Sequence, residues 1–292
     1  MLLGGIVIID FHKKYFRFLV VLLVIVFTIT GCSSYKTFAN VENERIKISY
    51  IDVGQGDSEL IQVNNKNLLI DAGPSQNTDK LISFLKSQKI RKLDYVIATH
   101  PHEDHIGGMP AIIKKYPIDK FYAPKVIANT QFFENMVTAL KDKDMKIYPA
   151  KSGMSIDLGK NTKCNIIAPN NNKYENLNDY SIVLVISYKN CKFLFTGDAE
   201  NLSEEEILNN NYDISCNVLK IGHHGSKTSS SDEFLDKTRA NIAVISCGKD
   251  NDYGHPNKTT LEKLKRHNIK IYRTDLEGNI ILTSNGNSIF KY

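Results

Sequence analysis

Three histidines and two carboxylic acids fall within six consecutive positions of "ATHPHEDHIGG", residues 98–108: His100, His102, Glu103, Asp104 and His105. Imidazole nitrogen and carboxylate oxygen are donors that zinc, manganese and iron accept. Buried without partners, such groups are costly, so a shared cation is the simplest compensation. His100 and His102 are two residues apart and project from one side of an extended segment. Asp104 and His105 follow at a turn, and Gly107-Gly108 lets the backbone pass close to a neighbour.

The elements around the cluster must hold it in place. "LDYVIATH" reads as a buried strand that runs out at Thr99, and the polar groups begin at its C-terminal end, where α/β folds put their ligands. Before it, "RIKISYIDV", "SELIQVNN" and "NLLIDAG" are short strands separated by Gly/Asn turns. "NTDKLISFLKSQK" has helical spacing through Leu81, Phe84 and Leu85. Further helices are expected near 106–115, 130–141, 199–210, 231–238 and 258–267. Further strands are expected near 119–122, 146–149, 163–168, 180–187, 192–196, 214–220, 241–246, 270–273 and 279–291. The strands form two groups, before 168 and after 180, with the Asn-rich loop "PNNNKYENLND" (169–179) between them. No linker divides residues 45–292, so one α/β domain with two packed sheets and helices outside is expected.

The N-terminus has a different character. Basic "HKKYFR" precedes "FLVVLLVIVFTIT", thirteen uncharged and mostly apolar residues. That run is short for a membrane span but suits the core of a signal peptide. Ile29-Thr30-Gly31-Cys32 resembles a bacterial lipobox, which implies cleavage before Cys32 and lipid on its sulfur. Residues 1–31 then form a lipoprotein signal peptide and polar 32–44 a tether. The expected location is the extracytoplasmic face of the cell membrane; an uncleaved N-terminal anchor gives the same side. The formal net charge of +5 is too mild to argue for nucleic acid on electrostatics alone. Cys164, Cys191, Cys216 and Cys247 lie in or beside apolar strand-like runs and lack CxxC spacing. They read as buried thiols, with a Cys164–Cys191 bridge as the alternative.

His-x-His-x-Asp-His after a strand resembles the second motif of the metallo-β-lactamase superfamily. Asp71 in "LLIDAG", Asp198 in "FLFTGDAE" and "LKIGHHGS" (219–226) follow in that family's order. "IDVGQGDS" (51–58), "HHGSKTSS" (223–230) and "YGHP" (253–256) are similar to the extracellular hydrolase domain of the ComEC/Rec2 competence channels, and more distantly to teichoic-acid phosphorylcholine esterases. The resemblance implies a four-layer αββα sandwich holding two divalent ions, zinc or manganese. It implies His100 and His102 on one ion, Asp104 and His105 on the other, and Asp198 bridging. A histidine of the "HHGS" pair joins the second ion; His223 is the preferred ligand and His224 the substrate or outer group. Asp71 matches a carboxylate that orients a ligand histidine.

Lys220 and His255 are candidates for neutralising a phosphate oxygen or protonating a leaving group. Gln55, Asp57 and Ser58 could line the rim, and Ser229–Ser231 read as a helix cap. His12 and His267 are expected to have no role. One departure matters: no histidine lies between His105 and His223, where most of the superfamily supplies one. Asn178, Asp179 or Ser181 occupies that stretch; Asp179 could be an oxygen ligand, or one ion keeps an open position. The expected reaction is metal-assisted hydrolysis of a phosphodiester, DNA foremost. The alternatives are a cell-envelope phosphoester such as phosphorylcholine, or a degenerate site that only binds.

Overall fold

Strand alternation decides the layering. The computed structural model describes residues 45–292, so the readings for the signal segment, Cys32, His12 and the tether lie outside the described residues. β1 (Ile46–Tyr50), β2 (Glu59–Val63) and β3 (Lys66–Ile70) form an antiparallel meander. β4 (Leu93–Ile97), β5 (Ile118–Pro124) and β6 (Ile147–Ala150) then add in parallel. Parallel pairing needs crossovers, and helices supply them. α1 (Thr78–Ser87) joins β3 to β4, α2 (Glu103–Ile106) and α3 (Met109–Lys115) join β4 to β5, and α4 (Gln131–Asp142) joins β5 to β6.

The second sheet contains β7 (Ser155–Ile156), β8 (Thr162–Ala168), β9 (Val183–Tyr188), β10 (Cys191–Phe195), β11 (Val218–Lys220), β12 (Ile242–Ile245) and β13 (Lys270–Arg273), in the order β13-β12-β11-β10-β9-β8-β7. β10 to β13 are mutually parallel. α5 (Asn201–Asn209), α6 (Asp232–Thr238) and α7 (Lys258–Arg266) make their crossovers. β14 (Ile280–Ser284) and β15 (Ile289–Lys291) then return to the first sheet, giving β15-β14-β1-β2-β3-β4-β5-β6.

Side chains two apart face the same way, which builds three apolar seams. Ile61, Leu68, Ile70, Phe193, Phe195 and Val218 are buried between the sheets. Leu60 and Leu69 point outward onto Leu81, Phe84 and Ile112 of the first helical layer. Leu194 and Leu219 do the same against Ile207, Phe234 and Leu264 of the second. The result is the expected four-layer αββα sandwich.

Two expectations about elements are corrected. The strands do not divide at 168/180: β7 and β8 belong with the second sheet, and the C-terminal hairpin β14–β15 with the first. The 279–291 run is a hairpin, Leu282 pairing with Lys291 across its turn. Cys164, Cys191, Cys216 and Cys247 are buried free thiols, so no Cys164–Cys191 bridge forms. Burial pushes the Cys164 and Cys216 thiols up to about 12. Among the described residues no helix is long and apolar enough to cross a membrane.

Candidate metal centre

The C-terminal ends of four strands meet at one rim. Asp71 follows β3, the His100–His105 segment follows β4, Asp198 follows β10, and His223-His224 follows β11. The backbone bends sharply to aim these side chains. Asp71 has φ 53°, and His223 and His224 have φ 46° and 52°, in the left-handed region that residues other than glycine seldom occupy. Such conformations persist where surroundings over-determine them. His223 N donates to Gly197 O at 3.2 Å, and Ser226 N donates to His223 O at 2.7 Å. Gly56 lets the loop after β1 come in close: a Cβ there would lie 2.3 Å from the Asp104 carbonyl oxygen.

Asp198 Oδ2 is the focus of the imidazoles. Nε2 lies 3.2 Å from it in His105, 3.5 Å in His224, 3.8 Å in His223 and 3.9 Å in His100. His224 Nε2 is also 3.2 Å from Asp104 Oδ2, and His105 Nε2 is 4.0 Å from Asp104 Oδ1. Asp104, His105, Asp198 and His224 each offer one ligand atom within 4.8 Å of the others. His102 Nδ1 faces His100 Nε2 at 3.0 Å. The arrangement fits a cation, because buried His105 Nε2 and Asp198 Oδ1 lack hydrogen-bond partners.

The electrostatics say the same. Burial drives the His100 imidazole well below its ordinary value, with His105 adding to the effect. Burial also lowers His102. These shifts favour the neutral imidazole, the form that ligates a metal. Burial alone would lower His105 and His224 too, but Asp198 with the neighbouring carboxylates outweighs it. His105 is held well above its ordinary value, and His224 at about 10. Both shifts share one cause: the carboxylates around these buried imidazoles favour positive charge at the site.

Around this centre, further polar contacts fix orientation. Asp71 Oδ2 is 2.7 Å from His105 Nδ1, while Thr99 N and Thr99 Oγ1 donate to Asp71 at 2.8 and 2.6 Å. His224 Nδ1 lies 2.9 Å from Ser246 O and 3.3 Å from Asp57 Oδ1. Glu200, which the sequence reading did not single out, holds His223 Nδ1 at 2.9 Å. Its carboxylate also accepts from Asn178 Nδ2 and Thr228 Oγ1. The only linear signal was its place two residues after Asp198.

Several expected positions change. His224, not His223, completes the group with Asp104, His105 and Asp198. Its side chain is 1% exposed, whereas that of His223 is 24% exposed and lines the mouth. The reason is the tandem left-handed turn, which sends the second imidazole inward. Lys220 cannot meet a substrate phosphate, being buried and ion-paired with Asp57. Burial opposes its charge, but Asp57, Glu59 and Asp198 outweigh this and raise its pKa. Asp57 and Ser58 are likewise buried rather than at the rim; Gln55 does line it. Asp179 is not in the group of close ligand atoms: its carboxylate is buried, with Oδ1 unpartnered, and burial with Glu200 raises its pKa. Ser181 takes the nearer place, its Oγ accepting from Asp198 N at 3.0 Å and lying 3.5 Å from His100 Nδ1.

His255 lines the pocket, its ring 5.5 Å from that of His223. Burial, with His223 and His224, lowers its pKa to about 4, so it is a neutral hydrogen-bonding group and not a protonated acid. His267 is remote, set between Asp232 and Asp236. Ser231 caps α6 by accepting from Phe234 N. The pocket above Asp198 is an open polar cleft of about 310 Å³.

The sequence profile of the metallo-beta-lactamase superfamily matches residues 51–249, more than half of the chain. The chain belongs to that superfamily. It is 32% identical over 252 residues to ComE operon protein 3 of Bacillus subtilis, a match covering 80% of this chain and 32% of that protein. It is 30% identical over 255 residues to competence protein ComA of Neisseria gonorrhoeae, covering 87% and 34%. The chain thus spans about a third of the curated relatives it matches. Among solved structures, the metallo-beta-lactamase fold protein YhfI of Bacillus subtilis aligns with a TM-score of 0.56 at 12% identity, covering 82% of this chain and 99% of that one. The diiron β-hydroxylase CmlA of Streptomyces venezuelae aligns at 0.55 and 12% identity, covering 85% and 54%. At such identities these two establish the fold. Superfamily membership and the donor set together make the protein a metal-dependent hydrolase.

Proposed function

We propose that this hydrolase is a phosphodiesterase that cuts DNA strands outside the cytoplasmic membrane, using two divalent ions, zinc or manganese. The observation that carries the reading is the convergence of four imidazole Nε2 atoms on Asp198 Oδ2 at the floor of an open cleft. Divalent cations at such a cluster make hydroxide available from water near neutral pH and counter charge on phosphate oxygens. His100 and His102 would hold one ion; Asp104, His105 and His224 the other, with Asp198 between. Asp71 and Asp57 keep the buried imidazoles aimed. His223, oriented by Glu200, and neutral His255 stand at the mouth, where they can donate hydrogen bonds to a phosphate or a leaving oxygen.

Similarity to the two competence proteins is what favours DNA over other phosphodiesters. The full chain with Mn²⁺ or Zn²⁺ is therefore expected to degrade single-stranded DNA faster than it hydrolyses p-nitrophenyl phosphorylcholine. Robust turnover of the choline ester alone would overturn the DNA assignment and favour an envelope phosphoester. The lipobox-like Cys32 motif supports a lipid anchor that holds the domain on the outer face of the membrane. Labelled palmitate should enter the protein and vanish in Cys32→Ala; equal labelling of both would contradict the anchor.

A further inference from the structure

The cleft above Asp198 is lined by polar side chains except at one edge, where Tyr253 stands 70% exposed. Its ring lies nearly parallel to the His255 imidazole, 19° apart with centroids at 5.9 Å. His255 in turn meets His223 edge-on at 5.5 Å, and His223 Nε2 is 3.8 Å from Asp198 Oδ2. One face of the phenol is thus backed by a flat ring next to the centre, and much of the rest of the ring is open to water. The loop that carries it is tied down: Asn251 Oδ1 accepts from His255 N at 3.0 Å, and Asn251 Nδ2 donates to Gly248 O and His255 O at 2.8 and 2.6 Å. Gly248 N donates to Gln55 Oε1 at 3.0 Å, fixing the loop to the opposite rim.

Single exposed rings are ordinary on protein surfaces; this one is set apart because it lines the cleft on a loop held by hydrogen bonds. We propose that Tyr253 is a stacking platform, a specificity-determining residue that takes the planar base of the nucleotide whose phosphate sits over Asp198. This deepens, and rests on, the phosphodiesterase reading of the same cleft. Stacking on an aromatic ring is available to every base, so the platform selects nucleic acid over other phosphodiesters without selecting sequence. A quaternary ammonium also binds aromatic faces, but its sites are cages of several rings. Here the two rings lie parallel and offer a surface, which suits a base.

The test compares thymidine 5′-p-nitrophenyl phosphate with p-nitrophenyl phosphorylcholine, which share a leaving group and differ in the retained group. Base stacking contributes about 1–3 kcal/mol, so Tyr253→Ala should lower the thymidine-to-choline ratio of kcat/KM by roughly 5- to 150-fold, chiefly through KM. Tyr253→Phe should keep most of the wild-type ratio, and Tyr253→Leu, similar in apolar character but without a ring, should not. An unchanged ratio in Tyr253→Ala, while the wild-type protein still degrades single-stranded DNA, would overturn the platform and leave the nuclease reading standing. A ratio that moves the other way would assign the ring to the ammonium group and overturn the platform. Wild-type protein that hydrolyses the choline ester but neither the thymidine ester nor DNA would overturn both.

Discussion

Asp198 and Asp179 are both buried acids near one cleft, yet only Asp198 faces imidazoles. Asp179 lies outside the group of close ligand atoms, so its removal should touch stability and not chemistry. Asp179→Ala is expected to lower unfolding free energy by about 1 kcal/mol with metal content intact. Loss of bound metal in that variant would restore Asp179 as a ligand. Glu200→Gln is expected to do the reverse. It weakens the hold on His223 Nδ1 and should lower kcat/KM by roughly 10- to 100-fold with little change in Tm. Unaltered kinetics would remove Glu200 from the site. The cluster was legible in the sequence because His100, His102, Asp104 and His105 sit within six consecutive positions. Glu200 was not, because its role depends on the loops after β10 and β11 approaching in space, and the choice among Asn178, Asp179 and Ser181 was left open for the same reason. The choice between His223 and His224 rested on two consecutive left-handed residues, a backbone feature that no side-chain pattern reports.

Lys220 on β11 and Asp57 in the loop between β1 and β2 belong to different sheets, and their buried ion pair closes the rim that holds His224. Burial, with Asp57 adding to it, pushes the neighbouring Glu59 carboxyl well above the usual carboxylate range. Removing one partner strands the other in a medium of low polarity. Lys220→Met is therefore expected to destabilise the fold by about 3–5 kcal/mol in urea unfolding, and Asp57→Asn in the same chain should recover part of the loss. Purely additive effects of the two substitutions would show that the pair does not clamp the sheets. Most elements were readable from period-two and helical spacing, as with α1 through Leu81, Phe84 and Leu85. Sheet membership was not. β8 has the same apolar alternation as a first-sheet strand, and only its pairing with β9 places it in the second sheet. The β14–β15 hairpin is last in sequence yet adds beside β1, a crossover that periodicity cannot encode.

At the scale of the whole molecule, two sheets bring their parallel strand ends to a common edge, and the chemistry follows from that coincidence. Two packed sheets with helices outside could be anticipated from the run of strand-like and helical segments over 45–292, and the four-layer order from the family resemblance. Burying so many ionisable groups at their junction is tolerable when positive charge meets the carboxylates, which bound cations would supply. The most direct measurement is hydrolysis of bis-p-nitrophenyl phosphate by the full chain before and after EDTA, followed by stepwise return of Mn²⁺ or Zn²⁺. Turnover is expected to disappear with the chelator, to return with stoichiometric metal, and to stay absent throughout in Asp198→Ala. Equal turnover in the presence of EDTA would contradict the account.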